Sequence, residues 1–257
     1  MPKVSIIVPA FQAEPWIQQC LASIRAQTYK DVELVLIDDS QGTGAAAARN
    51  RGLDKATGDL ILFCDADDYL EPDAVEKMVS AIDGVDMVCG SFRKFGDFET
   101  VVTHPTQTFT AKEVAEYAMG NLLNPRTNQM LSGCWAKLYR RRNVWRFPDI
   151  TTAEDMAFNF DYLLRCDKVR FLSDVVYHNR KRQGSLSTTY DQNNRAGLFG
   201  FLKGLKRVRE FLFLFYDKDD LDNAIDNSKM YHAMLYFSRI CNQFSLSPND
   251  ALRKLYP

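Results

Sequence analysis

The sequence predicts an α/β protein with a mostly parallel sheet, helices on both faces and a helical segment at the C-terminal end. Three observations predict it. Largely apolar, strand-length runs stand at Val4–Val8, Val32–Ile37, Leu60–Cys64 and Val85–Cys89, and near-continuous apolar runs are how strands covered on both faces read. Helical patterns separate them, giving β-α-β-α-β-α-β over the first ninety residues, the order of a parallel sheet with crossover helices. Two runs end in acids, Asp38-Asp39 and Asp65-Ala66-Asp67-Asp68, at strand carboxyl ends, where open α/β sheets place their ligands.

Each element has its own signal. Val4–Val8 is β-branched and stopped by Pro9. Glu14-Pro15 opens a helix, since proline is tolerated in a first turn, and Ile17, Cys20, Leu21 and Ile24 share one face of it. After Asp38-Asp39-Ser40, a Gly-Thr-Gly turn leads into Ala45–Arg51, rich in good helix formers. Gly58 precedes the third strand, and a helix over Asp73–Ile82 precedes the fourth. Beyond Ser91 the rhythm loosens. Phe92–Val102 reads as strands or an insertion, Ala111–Leu122 as a helix, and Cys134–Arg140 is ambiguous. Glu154–Leu164 reads as an amphipathic helix and Val169–Asn179 as one or two strands. Gly184–Ser187 breaks the pattern. Leu198, Phe201, Leu202, Leu205, Val208 and Leu212 then form a helical stripe, with two further helices expected after it.

Composition bounds the function. The 257 residues can bury a large core, and 46% apolar with 25% charged residues is ordinary for a soluble protein. A net charge of −1 argues against a globally basic nucleic-acid binder. The six cysteines form no Cys-x-x-Cys pair and sit mostly in apolar patterns, as reduced core residues of a cytosolic protein do. No signal peptide is recognisable, no run approaches the roughly 18 apolar residues of a membrane span, and no repeat or low-complexity tract is present. The expected location is cytoplasmic.

Asp65 and Asp67 lie two positions apart, so on an extended chain they project to the same side. Two converging carboxylates repel unless a cation lies between them, and a hard divalent ion such as Mn2+ or Mg2+ suits oxygen ligands. Taken alone, such a turn also reads as a solvated acidic cap of the next helix. Gly42-Thr-Gly44-Ala-Ala-Ala47 matches a dinucleotide-binding fingerprint, yet Asp38-Asp39-Ser40-Gln41 intervene between strand and glycines, and carboxylates there repel a pyrophosphate. A nucleotide-sugar accounts for the acids better. Asp38 or Asp39 can accept a hydrogen bond from a base imide, Asp65 can bond a ribose, and Asp67 can hold a metal on the diphosphate. Arg49 adds positive charge near the phosphates, or serves only a solvated helix face.

Four segments in order, Val4–Phe11, Leu36–Ser40, Ala48–Gly52 and Leu62–Asp68, closely resemble those of family 2 glycosyltransferases, inverting enzymes of the GT-A fold. The resemblance spans roughly residues 1–188, leaving 189–257 as a separate helical region. It implies a donor-nucleotide half over 1–95 and an acceptor half over 96–188. It also implies that Pro9, Ala10 and Phe11 line the nucleotide pocket, that Asp38 or Asp39 meets a uracil, and that Asp65-Ala66-Asp67 is the donor-and-metal motif. Gly133–Tyr139, with Trp135 and Lys137, resembles the acceptor-side segment, which usually carries Asn where Ala136 stands. Glu154-Asp155 resembles the acidic pair whose second member is the base; two acids in a first helical turn also complement the helix dipole. His178–Ser187, with Arg180, Arg182 and Ser185, resembles the segment that closes on the diphosphate, and His178 is a candidate further metal ligand. The turn Ser40–Thr43 is shorter than in many relatives.

The expected reaction is metal-dependent transfer, with inversion, of a hexosyl or N-acetylhexosaminyl group from a nucleotide-sugar, UDP-linked by resemblance, to a glycan or lipid-linked hydroxyl in cell-surface polysaccharide or lipopolysaccharide synthesis. A sugar-phosphate nucleotidyltransferase needs a glycine-rich basic loop after the first strand, which Pro9–Glu14 lacks. A non-catalytic sugar-nucleotide-binding module would more readily have lost Asp67 or Glu154-Asp155. One feature bears on location. Eight basic residues (Arg180, Lys181, Arg182, Arg195, Lys203, Lys206, Arg207 and Arg209) face one acid, Asp191, before the aromatic run Phe211–Tyr216, a pattern expected of peripheral contact with anionic lipid on the inner membrane face. The alternative is a stripe packed on the catalytic domain with solvated charges.

Overall fold

The computed structural model describes residues 1–123, 133–150, 154–181 and 195–230, with Ser247. The strands are β1 (Val4–Ala10), β2 (Val32–Asp38), β3 (Leu60–Phe63), β4 (Tyr69–Leu70), β5 (Met87–Phe95), β6 (Thr100–Val102), β7 (Gln107–Thr110), β8 (Lys137–Arg140) and β9 (Lys168–Arg180). The helices are α1 (Ile17–Arg25), α2 (Ala45–Lys55), α3 (Ala74–Ser80), α4 (Ala111–Leu123), α5 (Glu154–Leu163) and α6 (Arg195–Leu212), with residues 218–230 also helical.

All nine strands join one sheet, in the order β2-β1-β3-β8-β5-β9-β4, with β6 on β5 and β7 on β9. Strands β1, β2, β3, β5 and β9 run one way, so the sheet is mostly parallel as the apolar runs predict. The ambiguous segment before Arg140 supplies β8, which runs antiparallel between β3 and β5. Phe92–Val102 continues β5 and turns back as β6. The two-residue β4 carried no sequence signal; it exists because Tyr69 and Leu70 pair with His178 and Tyr177.

Alternate strand residues feed two cores. Ile7, Ile61 and Phe63 point to the side covered by α2, α4, α5 and α6, while Ile6, Leu60 and Leu62 point to the side of α1 and α3. This two-sided burial is why the central strands lack polar alternation. A Cβ at Gly52 would overlap Ile7 Cγ2, so a glycine there lets α2 lie directly on β1. That close approach turns Arg49, one turn earlier, inward at 4% exposure.

The stripe of α6 packs on the domain: Leu205, Val208, Phe211 and Leu212 share a core with Val114 of α4 and Phe158 and Phe160 of α5. Arg207 pairs with Asp161 (3.4 Å) and Glu210 (2.7 Å), and Arg209 with Asp222 (3.0 Å). Part of the basic run is thus neutralised within the protein. No helix among the described residues is long and apolar enough to cross a membrane.

Candidate active site

The carboxyl ends of β1, β2 and β3 lie side by side because their registers pair Ala10 with Asp38 and Ile7 with Phe63. At the end of β2 the two acids differ. Asp38 is exposed and accepts the Ser40 N–H at 2.8 Å. Asp39 is 3% exposed, and its carboxylate accepts from Thr43 N (3.2 Å), the Thr43 hydroxyl, Gly44 N (3.1 Å) and Arg51 Nη2 (2.7 Å). Burial pushes the Asp39 carboxyl up, but the bonds from Thr43, Arg51 and Gly44 outweigh it and hold it below the usual range. Asp39 therefore fastens the turn into α2, while Asp38 stays exposed at the end of β2. The Phe11 ring lies beside Gly42 and is 48% exposed, ahead of Gln12 in a left-handed conformation (φ 47°). Pro9 and Ala10 end β1 beside it.

The acidic turn after β3 is held from β9. The Asp68 carboxylate accepts from the Tyr177 hydroxyl (2.7 Å), Asn179 Nδ2 (3.0 Å) and Arg180 N (2.6 Å). Tyr177 Oη also accepts the Asp65 N–H at 3.0 Å. Burial, together with the charges of Asp65 and Asp67, pushes Asp68 up to about 8. Asp68 is thus the anchor of the turn, with Ala66 buried in the core and Asp65 and Asp67 half-buried beside it. Arg180 Nε donates to the Asp67 carbonyl (2.9 Å), Nη2 reaches Gln19 Oε1 (2.6 Å), and the guanidinium stacks over Phe95 at 4.5 Å. Arg182 and Ser185, expected beside it, lie outside the described residues.

The centre of the site is Arg49. Its Nη2 meets Asp65 Oδ1 at 2.9 Å, and its Nη1 meets Glu154 Oε1 at 2.9 Å and Asp155 Oδ1 at 2.7 Å. Below it, the guanidinium rests over the Phe147 ring at 5.4 Å, and Phe147 stacks on Phe158. Burial and the neighbouring Asp155 push Glu154 up to about 7, against the pull of Arg49. Burial likewise raises Asp155, with Arg49 opposing. Both acids keep about 15% side-chain exposure, 15% for Glu154 and 16% for Asp155, so one edge of each stays open. Arg49 was expected at the donor phosphates; the close packing at Gly52 instead buries it among three carboxylates.

On the acceptor side, Trp135 stacks on Tyr177 (5.1 Å, 14°) and meets Phe92 edge-on at 4.6 Å. Lys137, expected to touch acceptor, is 3% exposed, and its Nζ donates to the carbonyls of Gly133 (2.6 Å) and Trp135 (3.3 Å). It clamps the turn that presents Trp135 and offers no free cation to a substrate. Ala136, between them, has φ 54°, a left-handed conformation that asparagine tolerates better than alanine. That explains the residue type the resemblance led one to expect there.

His178 is also engaged elsewhere. Its Nε2 meets Glu71 Oε1 at 2.7 Å and its ring stacks on Tyr69 at 4.2 Å, because β4 pairs Tyr69 with His178. Among the described residues no three His, Cys, Asp or Glu side chains form a metal site by themselves. The donor chemistry still fits a divalent cation. One or two carboxylates suffice when phosphate oxygens and water complete the shell, and the crowding that raises Asp68 marks a place where positive charge is favoured. Sequence reasoning missed Asp68, Tyr177 and Phe147 as supports; the third acid of the run was a visible signal for Asp68, and nothing local marked the other two.

Arg49 thus joins the acidic turn after β3 to the paired acids at the start of α5, at the carboxyl end of the sheet, where α/β folds place their ligands. The model for "Glycosyl transferase family 2" matches residues 5–44 and 40–147, and the chain belongs to that family. It is 28% identical to glycosyltransferase GlyA of Streptococcus pneumoniae, over 74% of this chain and 32% of that protein. It is also 28% identical to the uncharacterized glycosyltransferase EpsJ of Bacillus subtilis, over 73% of this chain and 63% of that protein. The chain thus spans less than two thirds of the length of these relatives. Among solved structures, Staphylococcus aureus TarS 1-349 in complex with UDP-GlcNAc superposes with a TM-score of 0.66 at 22% identity, covering 88% of this chain and 71% of that one. The mannosyltransferase PcManGT from Pyrobaculum calidifontis, in complex with GDP-Man and Mn2+, gives 0.55 at 16% identity, covering 99% and 78%. The fold is GT-A.

Proposed function

We propose that the protein transfers a sugar from a nucleotide-sugar to a hydroxyl of a glycan or lipid-linked acceptor, with inversion at the anomeric carbon. The observation that carries this reading is the span of Arg49, which ties Asp65 of the donor motif to Asp155 across 90 residues of sequence. The transferred sugar is thereby expected to lie between a donor-binding acid and a base.

Asp155 removes the proton from the acceptor hydroxyl as its oxygen attacks the anomeric carbon. The bond from that carbon to the diphosphate oxygen breaks, and the nucleoside diphosphate leaves with the electron pair. Arg49 orients Asp155 and opposes the burial that raises its carboxyl. Glu154 shares that arginine and sets the charge balance beside the base. Asp38 and the Pro9–Phe11 segment receive the base and Asp65 the ribose, and Arg180 adds positive charge at the acidic turn. A divalent cation, Mn2+ or Mg2+, held by Asp67 would neutralise charge on the leaving diphosphate. Trp135, stacked on Tyr177, offers an aromatic face to the acceptor.

UDP is the favoured nucleotide, because the structural neighbour TarS was solved with UDP-GlcNAc and the relative of that name is a poly(ribitol-phosphate) beta-N-acetylglucosaminyltransferase. That name also favours a cell-surface polymer as the acceptor class. Replacing Asp155 with Asn removes the proton acceptor with little change in shape. Calorimetry with UDP-GlcNAc and Mn2+ is expected to show donor affinity retained, while transfer falls at least about a hundredfold. Equal loss of binding and turnover would assign Asp155 to donor binding instead.

Peripheral contact with lipid is part of the same reading. Phe213 and Leu214, just beyond α6, are 55% and 64% exposed, and Lys206 is exposed on the same helix.

A further inference from the structure

We propose that an arginine-lined cleft at the end of the sheet opposite the acidic cluster is a second anion site, taking a phosphate group through Arg141 and Arg142. The cleft has a volume of about 490 Å³ and is lined by Gly58, Asp59, Arg140, Arg141 and Arg142, within the size range of small-molecule sites. Gly58 and Asp59 enter β3 and Arg140 leaves β8, whose register pairs Arg140 with Leu60. Asp59 and Asp65 are separated by the length of β3, about 20 Å at roughly 3.3 Å per residue. A donor bound at the strands' carboxyl ends does not reach the cleft.

The three arginines have different tasks. Arg140 builds the wall: its Nε donates to Val85 O (2.7 Å) and its Nη2 to Ile82 O (2.8 Å), which fixes the chain after α3. Arg141 and Arg142 begin a single 3-10 turn (Arg141–Asn143) that is pinned at both ends, by Arg141 N donating to Asp59 O (2.9 Å) and Val144 N donating to Arg141 O (3.0 Å). The two side chains therefore leave a fixed backbone at the cleft's edge.

The two nearby acids, Asp59 and Asp86, are bonded mainly to other donors. Asp59 Oδ2 accepts the Lys3 N–H at 3.1 Å. Asp86 accepts from Asn143 Nδ2 (3.1 Å), Asp167 N (2.9 Å) and Lys168 N (3.4 Å), so Arg142 touches it only at 3.5 Å and stays 72% exposed. Among the described residues Arg141 makes no ion pair. Arg141 and Arg142 both line the cleft, and a guanidinium fork matches the oxygens of a phosphate, which accepts paired N–H bonds that a simple solvated charge does not need. The phosphate can belong to a soluble diphosphate or to a lipid headgroup.

The test is calorimetry on the full chain at low salt, with a chelator present so that no cation supports diphosphate binding at Asp67. Inorganic pyrophosphate and dihexanoyl phosphatidylglycerol, below its micelle concentration, serve as soluble and lipid probes. Arg141→Gln/Arg142→Gln is expected to bind the preferred probe at least tenfold more weakly, with an unchanged melting temperature, because both side chains are exposed. Asp67→Ala is expected to bind as wild type does, which separates the cleft from the donor site. Pyrophosphate binding alone assigns a soluble ligand, and phosphatidylglycerol binding alone a lipid one. Failure of wild type to bind either probe, or equal binding by the double variant, overturns the proposal.

Discussion

Arg49 Nη1 stands 2.7 Å from Asp155 Oδ1, and the same guanidinium holds Asp65 Oδ1 at 2.9 Å through Nη2. One buried cation thereby fixes the separation between the donor motif of β3 and the first turn of α5. The buried guanidinium is compensated by the three acids that share it; leaving a buried charge without its partner costs about 3–5 kcal/mol. The cluster is therefore a structural joint as well as part of the proposed chemistry.

Replacing Arg49 with Gln removes the charge that opposes burial at Asp155, so the carboxyl rises further above its ordinary value. The base works ionised, so activity is gained as pH rises through its pKa. In the variant the acidic limb of the pH–rate profile is expected to move to higher pH, by about one unit or more, equivalent to about 1.4 kcal/mol. Arg49→Lys keeps the charge and is expected to restore much of the profile's position. An unmoved limb in Arg49→Gln would sever the proposed link between Arg49 and the base.

Asp38 and Asp39 are adjacent in sequence and opposite in consequence. Asp39→Ala strands the donors of Thr43, Gly44 and Arg51, and is expected to destabilise the fold by about 2–4 kcal/mol, seen as a lower midpoint in urea. Asp38→Ala is expected to leave the midpoint within about 0.5 kcal/mol, as surface changes do, while raising KM for the nucleotide-sugar. Equal destabilisation by both changes would contradict the assignment.

The role of Asp67 is read by titrating Mn2+ into wild type and Asp67→Ala. The anchor of the turn is Asp68, bonded to Tyr177, Asn179 and Arg180, so the variant is expected to fold normally and to lose both cation-dependent donor binding and transfer. Full transfer by the variant, or by wild type under chelation, rules the cation out of the reaction.

Lipid contact is tested by co-sedimentation with anionic and neutral vesicles. Since Arg207 and Arg209 are partly neutralised inside the protein, Phe213→Ser/Leu214→Ser is expected to weaken binding to anionic vesicles more than Arg207→Gln does. Equal recovery on both vesicle types would end the lipid reading.

The sequence by itself determined the parallel strands at the heart of the sheet, their two-sided burial and the two acidic strand ends, because continuous apolar runs and turn chemistry are local signals. It also carried the ordered motifs of the family. Only the tertiary structure decided what the polar residues do. Asp39 and Asp38 differ through donors brought in by Gly44 and Arg51, Lys137 is spent on backbone carbonyls, and His178 is turned to Glu71 by a two-residue strand. Arg49 reaches Asp155, 106 positions away, because Gly52 lets α2 lie on β1. A side chain's role follows from the partners that long-range packing supplies, and a linear pattern of residue types does not encode those partners.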